Sequence, residues 1–379
     1  MTAQETPFAR RESGFVGGIP VRNIWLLMLY ASDLLRTLGA EKASLERNPD
    51  DIPDLVAELL ARLVEKRLRR NLSFGYRERD AVLGRVRGRV LMLETECGRL
   101  LSRGKVACRF DELTVDTLRN RYVRSALDSI AGLVRNRELM RRCRSLATDL
   151  RRLGVAGERP TRAEMSSDRI GRNDSADRLM TAAAWLAFDL ALPTEFEGNE
   201  CLPFPDREIG WFRRLYEKAV GGLYDAALTP YGWRVETGRR FDWQTDGRTS
   251  RIAEILPSMR TDIVLEHPES GHRIVIDTKF NALLTKGWYR EESLRSGYVY
   301  QIYAYLRSQE KSGDALAGSA SGILLHPAVG GNRIDETVLI QGHAIRFATV
   351  DLSASGPEIR RQLLDIANVP SAGICCGQG

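Results

Sequence analysis

The chain has 379 residues, of which 43% are hydrophobic, and 56 Lys+Arg against 50 Asp+Glu give a formal charge of +6. Its longest apolar run, residues 24–35, has 12 residues and contains Asp33, too short and too polar to span a bilayer. The polar start (MTAQETPFARRES) lacks the apolar stretch of a secretory signal, so a cytoplasmic protein meeting no membrane is expected.

Residue supply narrows the chemistry. Six Cys without a C-x-x-C pair argue against both a thiolate metal site and a disulfide framework. Four His, at 267, 272, 326 and 343, argue against a His-rich metal centre. No G-x-x-x-x-G-K-[ST] loop occurs, so no nucleotide is expected to bind this chain itself. The net charge lies wholly in residues 1–200, with 35 Lys+Arg against 29 Asp+Glu; residues 201–379 hold 21 of each. A surplus of this size fits phosphate contacts, and equally fits solvated helix faces.

In chain order, residues 24–38 read as a buried helix, and apolar positions from Leu55 to Leu68 recur at helical spacing. Residues 77–93 alternate apolar and basic side chains around Gly84 and Gly88, which predicts a strand or hairpin. Its basic face suits a ribbon reaching a partner or DNA, or an ordinary solvated edge. A long amphipathic helical region, broken once, is expected over 116–153, with its arginines on the outer face. Another helix follows around 176–190. The Pro-containing segment 201–205 marks the expected boundary between a mainly helical domain, 1–200, with its β-hairpin or ribbon insertion, and a second domain, 201–379.

The second half changes character. An amphipathic helix is expected over 208–228, then strand-like segments at 232–240, 252–256, 261–266 and 273–278. A helix over 293–310 and strands at 322–325 and 344–352 complete it. This is an α/β arrangement: a central mixed sheet flanked by helices. The tail from 371 to 379 is expected to fray.

The stretch 259–280 (MRTDIVLEHPESGHRIVIDTKF) carries the chemistry. Phosphodiester hydrolysis uses a divalent cation to polarise the phosphate and acidify a water. Mg²⁺ prefers carboxylate oxygens and needs few protein ligands. A nearby lysine orients or deprotonates the nucleophile and offsets developing negative charge. Asp262 begins one strand, HPESG supplies a turn, and Asp277 and Lys279 end the next. Residues two apart in a strand share a face, so Asp277 and Lys279 converge, and an antiparallel hairpin brings Asp262 beside them. From 50 acidic residues and seven Lys, about one acidic-x-Lys triplet is expected by chance. The single one present ends a buried-looking IVI run, which sets it apart from a surface ion pair. Gln301 and Tyr305 lie four apart on the following helix and share a face, as supporting residues. Glu217 is a further candidate carboxylate, or else a partner of Arg213 or Arg214; Glu254 is a weaker candidate.

These residues resemble the PD-(D/E)xK nuclease superfamily, as T-D262…D277-T-K279 with the Q301-x-x-x-Y305 extension of RecB-like members; Thr261 stands where the usual Pro would. The chain as a whole resembles the McrC family, the nuclease subunits of modified-cytosine-dependent restriction systems. The resemblance rests on I19-PVRNIWLLMLYASDLL, R87-GRV, F110-DELTVDTLRNRYVRSAL and L215-YEKAV. It implies a PD-(D/E)xK fold for 201–379 and a Mg²⁺ (or Mn²⁺) ion on Asp262, Asp277 and the Thr278 carbonyl, a site to which Glu217 could add a carboxylate. Lys279 would act on the attacking water with Gln301 in support, and the product would carry a 5′-phosphate. It also implies a partner, an McrB-like AAA+ GTPase ring that residues 1–200 would dock into and stimulate, and double-stranded DNA as substrate. Two other readings are carried forward: a non-catalytic, DNA-binding ring activator, and a stand-alone RecB-like repair nuclease.

Overall fold

The computed structural model describes residues 15–16, 18–38, 41–168, 175–195, 206–281, 283–285, 293–310, 313–329 and 333–367. The expected boundary segment at 201–205 and the tail lie outside these.

The chain forms two compact units, Met1–Ile52 with Leu192–Gly379, and Pro53–Ala191. This differs from a single cut at residue 200. The first 52 residues fold with the C-terminal half because their apolar run is buried there. Ile24, Leu26, Leu27 and Leu29 are at most 1% exposed, and Asn23 Nδ2 donates to Leu352 O at 2.8 Å and Ala354 O at 2.9 Å. The helix Val21–Tyr30 lies so close to Asp206–Leu228 that a Cβ on Gly222 would stand 1.9 Å from Tyr30 O. Glycine is required by this close approach.

The first unit is built on a six-stranded mixed sheet. Its strand order is Asp335–Ile340, His343–Asp351, Ser321–Ala328, His272–Thr278, Ile263–His267, Arg234–Thr237. The three central strands, 343–351, 321–328 and 272–278, run parallel; the outer pairings are antiparallel. Between the parallel strands 272–278 and 321–328, the chain passes through the helix Ser296–Arg307, as a parallel crossover requires. Ile302, Tyr305 and Leu306 of that helix join Val264, Val275, Leu324, Ile345 and Phe347 in one core. Two expectations are corrected. Residues 252–256 form a short helix, Ile252–Ile255, rather than a strand, since an IAEIL run is too short for periodicity to decide. Asp335–Ile340 is an edge strand that was not expected, because its mostly exposed residues carry no apolar alternation.

The second unit is mainly helical, with Ile52–Leu68, Leu118–Ile130, Arg137–Arg152 and Ser175–Glu195 as its long helices. The break expected within 116–153 falls at residues 131–136, and Asn136 caps the second helix by accepting from Glu138 N and Leu139 N. Arg119 and Arg124 are buried, against the expectation of an outer face. Arg119 pairs with Asp168 and Asp177, and Arg124 donates to the carbonyls of Val155 and Gly157. Of the strand or hairpin expected over 77–93, the strand is observed, and Gly75–Leu83 does not pair with Arg89–Val90. Gly75–Leu83 and Arg89–Val90 both flank Val106–Thr114, which is the central strand of three. Gly88 allows this, since a Cβ there would meet Arg109 O at 2.3 Å.

Candidate active site

The antiparallel register places Ile263 opposite Ile276, so Asp262 and Asp277 follow as neighbours at the same end of the hairpin. The turn is set by Gly271 at φ +68°, a conformation few other residues accept. Asp262 Oδ2 accepts from both Thr278 N at 2.7 Å and Thr278 Oγ1 at 2.8 Å, which fixes the carboxylate across the strand gap. Thr261 N donates to Arg239 O at 2.9 Å. A proline there would lose this bond, so the threonine is locally favoured.

Asp277 and Lys279 do converge: Lys279 Nζ lies 2.7 Å from Asp277 Oδ2. Both are buried, at 1% and 5% exposure. Asp277 Oδ1 is buried with no hydrogen-bond donor among the described residues. Burial, with Asp262 nearby, pushes the Asp277 carboxyl up to about 6, with Lys279 opposing. A buried carboxylate with an open oxygen is costly unless a cation meets it.

Glu217 sits half-buried on the helix Asp206–Leu228, near enough to Asp262 for the two charges to repel. Burial first, and Asp262 second, raise its carboxyl above the usual range. It makes no ion pair with Arg213 or Arg214 among the described residues. The helix is seated here by Phe212 stacked on Phe280 at 5.6 Å and Tyr216 edge-on to the same ring at 5.8 Å. Glu254 is exposed on its short helix. Among the described residues, no three His, Cys, Asp or Glu side chains lie close enough to hold a metal ion by themselves.

Gln301 and Tyr305 act on backbone rather than on the aspartates directly. Gln301 Nε2 donates to Tyr305 Oη at 2.6 Å, and Tyr305 Oη donates to Arg260 O at 2.7 Å, two residues before Asp262. The helix thereby anchors the strand that delivers Asp262. Tyr305→Phe strands the Arg260 carbonyl and should cost about 1–2 kcal/mol of stability by urea denaturation; an unchanged midpoint would show that the bond contributes nothing.

Three residues at the site were not expected: Tyr298, Asn281 and His326. Lys279 Nζ lies 5.1 Å from the Tyr298 ring centroid, and Asn281 Nδ2 donates to Tyr298 Oη at 2.7 Å. His326 Nδ1 lies 2.9 Å from Asn281 O, and burial drives its pKa down to about 4. The neutral ring therefore carries its proton on Nδ1, since a carbonyl can only accept. Tyr298 is seven residues before Tyr305, two helical turns along one face, and this spacing is the signal that identifies it.

The Asp277 shift has a sign that can be tested. Its folded pKa, about 6, exceeds the ordinary 3.8, so its stabilising contribution is full below about pH 4 and is lost as pH rises through 6. A divalent cation held there would need the carboxylate and so would bind more strongly over that window. Divalent cation should raise the melting temperature more at pH 7.5 than at pH 5; equal increments would refute the coupling.

The fold and site define an α/β protein whose central sheet ends in a buried aspartate, Asp277, with a lysine and a second, partly exposed aspartate, Asp262, beside it. Residues 5–174 match the family described as "McrBC 5-methylcytosine restriction system component". The chain is also 26% identical, over 353 residues, to "Type IV methyl-directed restriction enzyme EcoKMcrBC" of Escherichia coli strain K12, covering 92% of this chain and 97% of that protein. Among solved structures it is similar to a chain of the half-complex from the tetradecameric assembly of Thermococcus gammatolerans McrB AAA+ hexamers with bound McrC. That likeness has a TM-score of 0.41 and 14% identity, and covers 92% of this chain and 76% of the other. No described helix is long and apolar enough to cross a membrane.

Proposed function

We propose that the chain is the endonuclease subunit of an McrBC-type restriction complex, acting in the cytoplasm and cutting double-stranded, modified-cytosine DNA at a PD-(D/E)xK centre. The observation that carries this is Asp277, buried with one open oxygen and held beside Asp262 and Lys279 at one strand end.

The donor set suits a hard divalent cation. Asp262, Asp277 and the Thr278 carbonyl offer oxygens, Glu217 adds a rim carboxylate, and water and phosphate oxygens complete the shell that Mg²⁺ or Mn²⁺ prefers. Such an ion, when bound, would polarise the phosphodiester and acidify a water. The protein's own groups do the rest. Thr278 holds Asp262 in place. Lys279, oriented by Asp277, directs the attacking water and offsets charge as the phosphorus is attacked, leaving a 5′-phosphate. Gln301 and Tyr305 keep the Asp262 strand fixed.

The unit Pro53–Ala191 is assigned to the partner, an McrB-like AAA+ GTPase ring that this chain stimulates without binding nucleotide. Its three-stranded sheet region exposes large apolar side chains, Tyr76 and Leu93 at 80% and Leu101 at 63%, as a protein-docking surface does. Arg79 of the ribbon and Arg109 of the strand beside it are paired with Glu112 and Asp80, which leaves fewer free cations there for phosphate. The alternative of a DNA-binding ring activator that does not cut draws on the lack of a three-group metal cluster among the described residues. Incubating the chain and its ring with modified plasmid, GTP and Mg²⁺ decides: strand cleavage supports the nuclease, whereas stimulated GTP hydrolysis and retained, uncut DNA support the activator. Cleavage without ring or GTP would instead indicate a stand-alone nuclease.

A further inference from the structure

We infer that Tyr298 is the positioning residue for Lys279, its ring face holding the ammonium against Asp277. This rests on the nuclease reading above. The observation is a continuous set of contacts that the two-carboxylate site does not itself need. Lys279 Nζ lies 5.1 Å from the Tyr298 centroid and 2.7 Å from Asp277 Oδ2, so the ammonium meets both a π face and a carboxylate. The ring is in turn fixed at its far end, where Asn281 Nδ2 donates to Tyr298 Oη at 2.7 Å. Asn281 O accepts from His326 Nδ1 at 2.9 Å, and the His326 ring lies 5.9 Å from that of Tyr298. His326 is fully buried on the neighbouring parallel strand, so the set ends on the sheet itself.

A lysine side chain has four rotatable bonds, and a carboxylate can be approached from many directions. An ion pair to Asp277 alone leaves the ammonium free to swing about the carboxylate. Adding an aromatic face restricts that freedom, and the cation–π contact of the buried ammonium with the half-buried ring also partly offsets its lost hydration. The effect falls on the lysine's placement rather than on its charge. Orientation of a group that acts on the attacking water affects turnover more than substrate affinity. The phenolic hydroxyl matters less than the ring, because the ring touches Lys279 while the hydroxyl only meets Asn281.

The experiment uses the full chain, selectively labelled with ¹³Cε-lysine, which limits the spectrum to seven lysines; Lys279→Arg identifies the resonance. The ring current should move the Lys279 Hε protons upfield of the other six in the wild-type protein and in Tyr298→Phe. In Tyr298→Leu they should return to the common position. In single-turnover cleavage with the partner ring, Tyr298→Phe should retain the wild-type rate to within about threefold, and Tyr298→Leu should fall about tenfold or more with DNA affinity unchanged. An Hε resonance at the common position in the wild-type protein overturns the inference, and this holds even where Tyr298→Leu does not fold. A Lys279 resonance unmoved by Tyr298→Leu, or a Tyr298→Leu variant that cuts at the wild-type rate, does the same. The spectrum reports on Lys279 whether or not the chain cuts DNA, so failure of the nuclease reading remains distinguishable.

Discussion

Asp277→Asn and Lys279→Ala should each lower DNA cleavage by the assembled complex about 10³-fold or more while leaving stimulation of the partner's GTPase near the wild-type level. The first removes a charge from a site where it is buried and met by one ammonium. An amide of the same shape keeps the packing but cannot neutralise a cation, so metal affinity is lost rather than the fold. The second removes the group proposed to orient the nucleophile, and losses of preorganised electrostatic or acid–base groups of this kind each cost about two to four orders of magnitude. Both residues lie in the unit Met1–Ile52 with Leu192–Gly379, whereas the exposed apolar surface assigned to the partner lies in Pro53–Ala191. Cleavage assays paired with phosphate release test the division. Loss of both activities in a folded variant would contradict it.

The second large effect concerns the first 52 residues. A fragment comprising residues 192–379 should fail to fold alone, despite containing the whole six-stranded sheet and every candidate catalytic residue. Removing residues 1–52 uncovers the surface against which Ile24, Leu26, Leu27 and Leu29 are buried. Each such side chain contributes about 1.5–3 kcal/mol, against a typical total stability of about 5–15 kcal/mol. It also strips the Leu352 and Ala354 carbonyls of their Asn23 donor. Circular dichroism of the fragment should show no cooperative melt, and supplying residues 1–52 as a separate peptide should restore one. A milder version is Gly222→Ala, whose new methyl would stand 1.9 Å from Tyr30 O and force the two helices apart. A loss of about 1–3 kcal/mol is expected. Wild-type stability in this variant, or a cooperative melt of the lone fragment, would refute the shared core.

Much of the site was legible in the sequence because β-structure has a short period. The apolar runs IVL and IVI, with a Gly-containing turn between them, mark a hairpin, and its register brings Asp262 beside Asp277. The Asp277–Lys279 pair follows from two-residue spacing alone. Gln301 and Tyr305 were placed on one helix face correctly, yet their target, the Arg260 carbonyl, is a backbone group that no side-chain pattern announces. Tyr298, Asn281 and His326 come together from three separate segments, and only the folded sheet brings His326 beside the lysine. Arg119 and Arg124 illustrate the opposite limit. In an arginine-rich helix, charge suggests an outer face, but burial is paid for here by Asp168, Asp177 and two carbonyls supplied from distant sequence. The strand 335–340 was missed because an edge strand with exposed faces need not alternate. The grouping of residues 1–52 with the C-terminal half was missed for a related reason: an apolar helix declares that it is buried without declaring against what.

The central claim is that Asp262, Asp277 and Lys279 form a divalent-cation centre, and Mn²⁺ binding followed by electron paramagnetic resonance at pH 7.5 tests it most directly. Titration of the full-length protein should show saturable loss of the free Mn²⁺ signal, abolished in Asp277→Asn and competed away by excess Mg²⁺. The same binding isotherm in wild-type protein and Asp277→Asn would contradict the account.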